Sequence, residues 1–342
     1  MKYYSIDRIL SIGADYNVIV GGRSNGKSYA TGQQWIKNYL ENSSQFVRAV
    51  RYIFDMQDRY VANYFCDDLL NKVKNDWNHV IWYDSPYYYI RHVDDPPSKK
   101  DILGHVMAIS NEQKYKSNQY DRVTVIDMEE FALLNTSQYI DYETEKYQSM
   151  VSTIVRRRNN CTCWFVGNTI SKYNPYFDML NINIDKLQLH QGDLKIVEQP
   201  DVGYKEKPVV AIEFAEMGAE LETEIPRLLK LGKNDTAVTG EYITPPDVIS
   251  CSDVKLKGRT PIIVQVGEIK FNMYLFECFV YWSLTVGKDK NKRTDAFVRT
   301  MCYDASRFFG NFVKDIVLPN EWYYDTEETK HYIEKYIRSV YV

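Results

Sequence analysis

Residues 21–28 read GGRSNGKS and follow the apolar run YNVIV without a gap. The spacing Gly21-x4-Gly26-Lys27-Ser28 suits one task, wrapping backbone around a phosphate. Successive N–H groups approach phosphate oxygens only where side chains do not block them, so small residues are needed. Gly21, Gly22, Arg23, Ser24, Asn25, Gly26, Lys27 and Ser28 are therefore the expected nucleotide-binding segment. Lys27 would bridge the terminal phosphates, Ser28 would ligate Mg²⁺, and a following helix would aim its positive end at the anion. This is the Walker A pattern, and it calls for a carboxylate partner.

RVTVIDMEEF, residues 122–131, supplies one: an apolar run that ends in acids. A strand of this kind delivers one carboxylate to hydrated Mg²⁺ and another to the attacking water. Two registers fit. In one, VTVI leads into Asp127 as the Mg²⁺ carboxylate, with Glu129 or Glu130 on the water. In the other, the strand runs through Met128, and Glu129 and Glu130 are the pair. The expected metal set is thus Ser28, Asp127 and Glu129, with Lys27, Glu129 and Glu130 catalytic.

The base is expected to be adenine, because no NKxD element ends a later strand; GKND at Gly232 has the wrong order. Tyr3, Tyr4, Arg8 and Tyr16 are candidates to cover that base, and they suit core packing equally. Arg156, Arg157 and Arg158 close a helix just before the run CTCWFVGNT. An arginine from a neighbouring subunit can neutralise a transferring phosphoryl group, whereas cations at a helix C-terminus need no ligand at all. Asn168, at the end of that run, is placed to sense the γ-phosphate or to cap a turn.

The elements that would position these groups follow from periodicity. A helix is expected from the end of the glycine loop to Leu40, a strand over Gln45 to Phe54, and a helix from Asp58 to about Val73. Strands follow over His79 to Asp84, Tyr87 to His92 and Ile102 to Ser110, with DDPPSKKD an exposed loop. The acidic strand, a helix from about Tyr142 and the strand Cys161 to Thr169 complete an alternation that indicates an α/β domain with a mostly parallel sheet. Past Asn183 the texture becomes α+β. It has a helix near Glu213 to Leu231, strands joined by tight turns from Pro261, and a final helix around Glu327 to Val340. The expected divisions are an ATPase domain at 1–185, a linking helical region at 186–245 and a C-terminal domain at 246–342.

The chain has 342 residues, 44% hydrophobic and 26% charged, as expected of a globular protein. A formal net charge of −4 argues against a chain that is basic all over and leaves a local basic face open. The six cysteines and five histidines show no CxxC, HExxH or Cys/His cluster, so metal ligation by them is not expected. No apolar run reaches bilayer-spanning length, and no membrane partner is expected.

GGRSNGKS, KYKSNQYDRVTVIDMEEF and RRRNNCTCWFVGNTISKYNPYF together resemble the small DNA-packaging (encapsidation) ATPases of tailed bacteriophages with protein-primed genomes, which are terminase-like P-loop motors. The likeness is strongest over residues 1 to about 180. It implies an ASCE-type P-loop NTPase domain followed by a smaller α+β domain resembling a degenerate ribonuclease-H-like nuclease. It also implies ATP and Mg²⁺, and a homomeric ring, pentameric in the family, that docks on the phage portal (connector) and pulls double-stranded DNA. A packaging RNA belongs to the same picture, as does a location in the host cytoplasm and transiently at the procapsid portal vertex. Lys116 and Arg157 or its neighbour Arg158 resemble the family's trans-acting basic residues. Glu129-Glu130-Phe131 stands where the family usually has Asp-Glu-Phe, which leaves the division of labour with Asp127 open.

Nuclease activity is not expected, since the strands from Pro261 to Val286 hold only Glu268 and Glu277, too few acids for two metal ions. For DNA, the turn GKDKNKR offers Lys288, Lys290, Lys292 and Arg293 for phosphate contacts, with Lys99 and Lys100 a second candidate; such runs also serve simply as solvated tips. The competing functional readings are a P-loop helicase or translocase unrelated to a capsid, and a nucleotide-dependent scaffold that turns over little.

Overall fold

The computed structural model describes residues 4–23, 25–96, 98–133, 138–169, 171–199 and 209–216, and then 249, 254, 256, 261–266, 269–276, 279–284, 299–300 and 321–341. The chain divides into two compact units, Met1–Ile243 and Thr244–Val342.

In the first unit the elements run α1 (Asp7–Ile12), β1 (Tyr16–Gly21), α2 (Lys27–Asn42), β2 (Gln45–Val50), α3 (Arg59–Ala62), α4 (Asp67–Trp77), β3 (His79–Asp84), β4 (Tyr87–His92) and β5 (Ile102–Ala108). They continue with β6 (Val123–Glu129), α5 (Glu143–Val155), β7 (Thr162–Asn168), α6 (Pro175–Met179), α7 (Ile184–Leu187), β8 (Leu194–Val197) and β9 (Val210–Phe214). One sheet joins all nine strands in the order β3-β4-β5-β2-β6-β7-β1-β9-β8. The six central strands are parallel, and the β3–β4 hairpin and β8 close the two edges antiparallel. As the apolar runs require, both faces are covered. Tyr147, Met150 and Ile154 of α5 with Tyr176 and Phe177 of α6 pack on one face; Ile9, Trp35, Ile36, Leu69 and Val73 from α1, α2 and α4 pack on the other.

Three expectations are corrected here. The sheet extends through β8 and β9, so residues 194–197 and 210–214 belong to it rather than to a connecting region. Every residue of β9 is buried, which only a strand paired on both sides and covered on both faces achieves. That assignment also makes Glu213 and Phe214 strand residues; residues 217–231 of the helix expected there lie outside the described residues. The helix expected from Asp58 is broken into α3 and α4, with Cys66 extended between them (φ −72 at Asp58, φ −67 at Cys66). The break lets Tyr64 and Phe65, consecutive in sequence, both enter the core, which one helical stripe does not allow.

The second unit holds a five-stranded sheet of order β13-β10-β11-β12-β14, built from β10 (Ile262–Val266), β11 (Ile269–Leu275), β12 (Phe279–Leu284), β13 (Arg299–Thr300) and β14 (Glu321–Tyr324). The first three strands form an antiparallel meander, and the last two pair parallel at its edges. A final helix, α8 (Glu327–Tyr341), follows Thr326, whose hydroxyl accepts from the Thr329 amide as an N-cap. Glu268, Glu277 and the basic turn with Lys288, Lys290, Lys292 and Arg293 lie outside the described residues.

Candidate nucleotide-binding site

In parallel strands all C-terminal ends share one edge, and the register brings the expected residues to it. Gly21 at the end of β1 sits opposite Asn168 at the end of β7, and Glu129 of β6 sits opposite Val166 on β7's other side. β7 thus lies between the phosphate-loop strand and the acidic strand, the ASCE-type arrangement. At Gly21 a Cβ would lie 3.0 Å from both the Ala215 carbonyl oxygen and Asn25 Nδ2, so a larger residue would crowd the loop. Gly26 turns the chain into α2 with φ +88, a conformation that favours glycine.

Lys27 is the first residue of α2, and its ammonium donates to Gly22 O (2.6 Å), Asn25 Oδ1 (3.1 Å) and Gly21 O (3.2 Å). Burial pushes its pKa down to about 8, against the pull of the nearby Glu129 carboxylate. A cleft of about 470 Å³ opens here, lined by Arg23, Asn25, Gly26, Lys27, Ser28 and Tyr29 from the loop and helix, by Glu129 and Glu130, and by Val166 to Asn168. Ser24 lies outside the described residues.

The strand β6 runs through Met128 to Glu129, which is the second of the two registers weighed above. Met128 packs into one core face, so the alternation of the strand sends Asp127 and Glu129 to the other. Glu129 reaches the cleft. Asp127 does not: it is fully buried, is absent from the cleft wall, and accepts from the Tyr64 hydroxyl at 2.9 Å. Burial, with the Glu129 charge adding, holds its carboxyl well above the usual carboxylate range. The expectation of Asp127 as a metal ligand is therefore not matched by its placement. Glu130 follows in a left-handed conformation, φ +52, with its amide bonded to Val166 O at 2.8 Å.

Two arginines that sequence reasoning passed over hold this acidic turn. Arg48, on β2, pairs with Glu129 Oε2 at 3.4 Å. Arg51, just past β2, donates to the carbonyls of Glu130 (3.1 Å) and Phe131 (2.9 Å) and pairs with buried Glu143 at 3.1 Å. Glu143 also accepts from the Tyr176 hydroxyl at 2.7 Å. A signal for Arg48 was present: a lone cation inside the apolar run QFVRAV, all of it buried.

The other expected basic residues sit elsewhere. Arg158 donates to the carbonyls of Asp121, Val123 and Ile154, and Arg156 to that of Asn118, which places them toward the start of β6, the end opposite Glu129. Arg157 and Lys116 are exposed and do not line the cleft of their own chain. Among the described residues, the cations on the cleft wall are Arg23 and Lys27. Of the residues proposed to cover a base, Tyr4 bonds the loop through its amide to Asn25 O (3.0 Å), while its hydroxyl donates to Glu213. Arg8 is tied to Glu213 and to Gly192 O. Tyr16 begins β1, at the end away from the cleft, and Tyr3 is not among the described residues.

The residues present fit a metal-bound nucleoside triphosphate. Asn25 Nδ2 and Glu129 Oε1 are buried polar atoms on cleft residues with no partner among the described residues, one a donor for phosphate and the other an acceptor for a cation's shell. Among the described residues no group of three or more His, Cys, Asp or Glu forms a ready-made metal site. Ser28 and Glu129 on the cleft wall supply protein oxygens of the kind that hold Mg²⁺ together with substrate phosphates.

A glycine-rich loop between a buried parallel strand and a helix, faced by carboxylates from a second strand across a third, defines a P-loop NTPase domain of the α/β class. The model of the podovirus DNA encapsidation protein (Gp16) family matches residues 1–205, and the chain belongs to that family. Over 202 residues it is 28% identical to the DNA packaging protein of Bacillus phage phi29, covering 58% of this chain and 56% of that protein. It is 30% identical over 175 residues to the DNA packaging protein of Bacillus phage B103, covering 51% and 48%. The chain thus spans about half the length of the curated relatives it matches. Among solved structures, the bacteriophage phi29 viral genome packaging motor assembly is similar in fold over 99% of both chains, with a TM-score of 0.60 at 19% identity.

Proposed function

We propose that this chain is the ATP-hydrolysing subunit of a motor that packages double-stranded DNA into a phage procapsid. The observation that carries the reading is the convergence of Lys27, Glu129, Glu130 and Asn168 on one sheet edge around a glycine-built loop, in a chain of the encapsidation family. Loop amides, Asn25 and Lys27 bind and orient the triphosphate, and Ser28 and Glu129 hold Mg²⁺. When bound, the ion neutralises phosphate charge and polarises the bond to be broken. Glu130, at the rim of the cleft, orients the attacking water and takes its proton.

Arg157 and Lys116, exposed and away from their own cleft, are assigned to a neighbour's site in a ring. That ring is read as pentameric and docked at the portal, with a packaging RNA as a further partner, in the host cytoplasm and at the procapsid vertex during packaging. The basic turn from Lys288 to Arg293 is assigned to DNA phosphates, and the second unit to a nuclease-like fold without cleavage activity.

The test is phosphate release from ATP by the full chain, with and without double-stranded DNA and portal. Stimulation by both is expected, and Lys27→Ala should cost on the order of 10²-fold or more if the ammonium stabilises developing charge. An unchanged rate in Lys27→Ala refutes the assignment. Unwinding of a forked duplex without portal binding would identify a helicase instead.

A further inference from the structure

Glu129 has two oxygens in different circumstances. Oε2 is held by Arg48 at 3.4 Å, whereas Oε1 is buried without a partner among the described residues and belongs to a residue on the cleft wall. Arg48 is itself fixed. It is 5% exposed, and its guanidinium lies 4.1 Å from the centroid of the Tyr64 ring, a distance at which a cation is attracted to the ring face. The Tyr64 hydroxyl is anchored in turn on Asp127 Oδ2. Asp127 sits directly across from Arg48 in the β2–β6 pairing, so this chain of contacts begins and ends on the same strand. Asp127 grips Tyr64, Tyr64 supports Arg48, and Arg48 holds Glu129.

We propose that Arg48 is a positioning residue for the metal-binding carboxylate: it ties down one oxygen of Glu129 and leaves the other turned to Mg²⁺, with Tyr64 and Asp127 as its support. The inference rests on the nucleotide reading above and adds to it the residues that aim the ligand. A glutamate on a strand end has three rotatable bonds, and a carboxylate free to turn binds a cation with one oxygen only after losing that freedom. Partners that orient a metal ligand are worth about 10–100-fold in metal affinity when removed. Arg48 also opposes Mg²⁺ as a like charge. The sign of the effect on Mg²⁺ binding therefore tells orientation from simple repulsion.

The experiment measures binding of a fluorescent ATP analogue to the full chain while Mg²⁺ is titrated, and reads both the half-saturating Mg²⁺ and the affinity without Mg²⁺. Arg48→Gln should raise the half-saturating Mg²⁺ about tenfold or more and leave Mg²⁺-free binding near the wild-type value. Glu129→Gln sets the scale for loss of the ligand itself. Asp127→Asn, which keeps an acceptor for Tyr64, should stay near wild type, and Tyr64→Phe, which loses the anchor but keeps the ring, should fall between. Because Arg48→Gln leaves two buried acids without their cation, Arg48→Lys carries the comparison if the first variant does not fold. The proposal is overturned if the folded Arg48 variant has an unchanged or lower half-saturating Mg²⁺, or if Asp127→Asn is as damaging as Glu129→Gln. A wild-type chain that binds the analogue without any Mg²⁺ dependence overturns the metal role of Glu129, and one that does not bind it at all overturns the nucleotide reading itself, a result separable from the others.

Discussion

Glu130 is held with φ +52, a region that costs a residue with a Cβ about 1–2 kcal/mol. The surroundings enforce it: the amide is committed to Val166 O, and the Glu130 and Phe131 carbonyls are both claimed by the Arg51 fork. Replacing Glu130 by glycine removes the strain and the carboxylate together; replacing it by alanine removes only the carboxylate. Glycine loses about 0.5–1 kcal/mol more chain entropy on folding than alanine. The glycine variant should therefore exceed the alanine variant in stability by roughly 0.5–1 kcal/mol, or about 1–4 °C in the melting of a unit of this size. Both variants should lose hydrolysis by about 10²–10⁴-fold if the carboxylate serves as general base. Thermal melts and phosphate release on the same preparations give both readouts. Equal melting of the two variants refutes the strain argument, and near wild-type hydrolysis in Glu130→Ala refutes the catalytic one, each without touching the other.

Gly104→Ala should destabilise the first unit by about 1–3 kcal/mol or more, as overpacking does. The new Cβ would lie 2.3 Å from Phe46 Cε1, and the Phe46 ring has no room to move between Tyr64, Phe65 and Tyr88; denaturant melts should show a partial rescue by Phe46→Leu. His105 should make stability fall in acid. Burial lowers its pKa from 6.5 to about 4 in the folded chain, so between those values the unfolded chain takes up a proton that the folded one refuses. The penalty is absent above pH 6.5, grows as pH falls and levels off below 4, reaching up to about 2 kcal/mol by pH 5 for this half-buried ring. Urea melts at pH 7.5 and 5 should show that slope shrinking in His105→Gln; an unchanged slope refutes the assignment.

The phosphate loop was legible because its chemistry constrains backbone. Only small residues admit an anion to main-chain amides; a Cβ at Gly21 would crowd Ala215 and Asn25, and Gly26 has φ +88. The acidic strand was legible in kind but not in register. Three acids follow an apolar run, and Met128 between them fits either a core position or a strand end until its neighbours are known. Its burial against α5's side of the sheet decides the matter, sending Asp127 toward Tyr64 and Glu129 toward the cleft. The extent of the sheet was missed at β9, since its partner is β1, nearly two hundred residues away, and a short apolar run does not announce so distant a pairing. The split between α3 and α4 was not legible because Tyr60, Tyr64, Leu69, Leu70 and Val73 fit one helical stripe, which leaves out Phe65, itself a core residue.

The two arginines show why motif reading stops where it does. A motif names the groups that touch a ligand, because ligand chemistry restricts them. The groups that hold those groups answer only to local geometry. Arg48 acts through the Glu129 side chain and Arg51 through the Glu130 backbone, and both come from β2 or its continuation, not from the acidic strand. The aim of both carboxylates therefore depends on the packing of β2 against β6. Arg48 lies on a strand that is buried along its whole length, and Arg51 follows that strand directly. A disturbance of β2 should reach the two acids together, whereas a change in the phosphate loop should leave them in place.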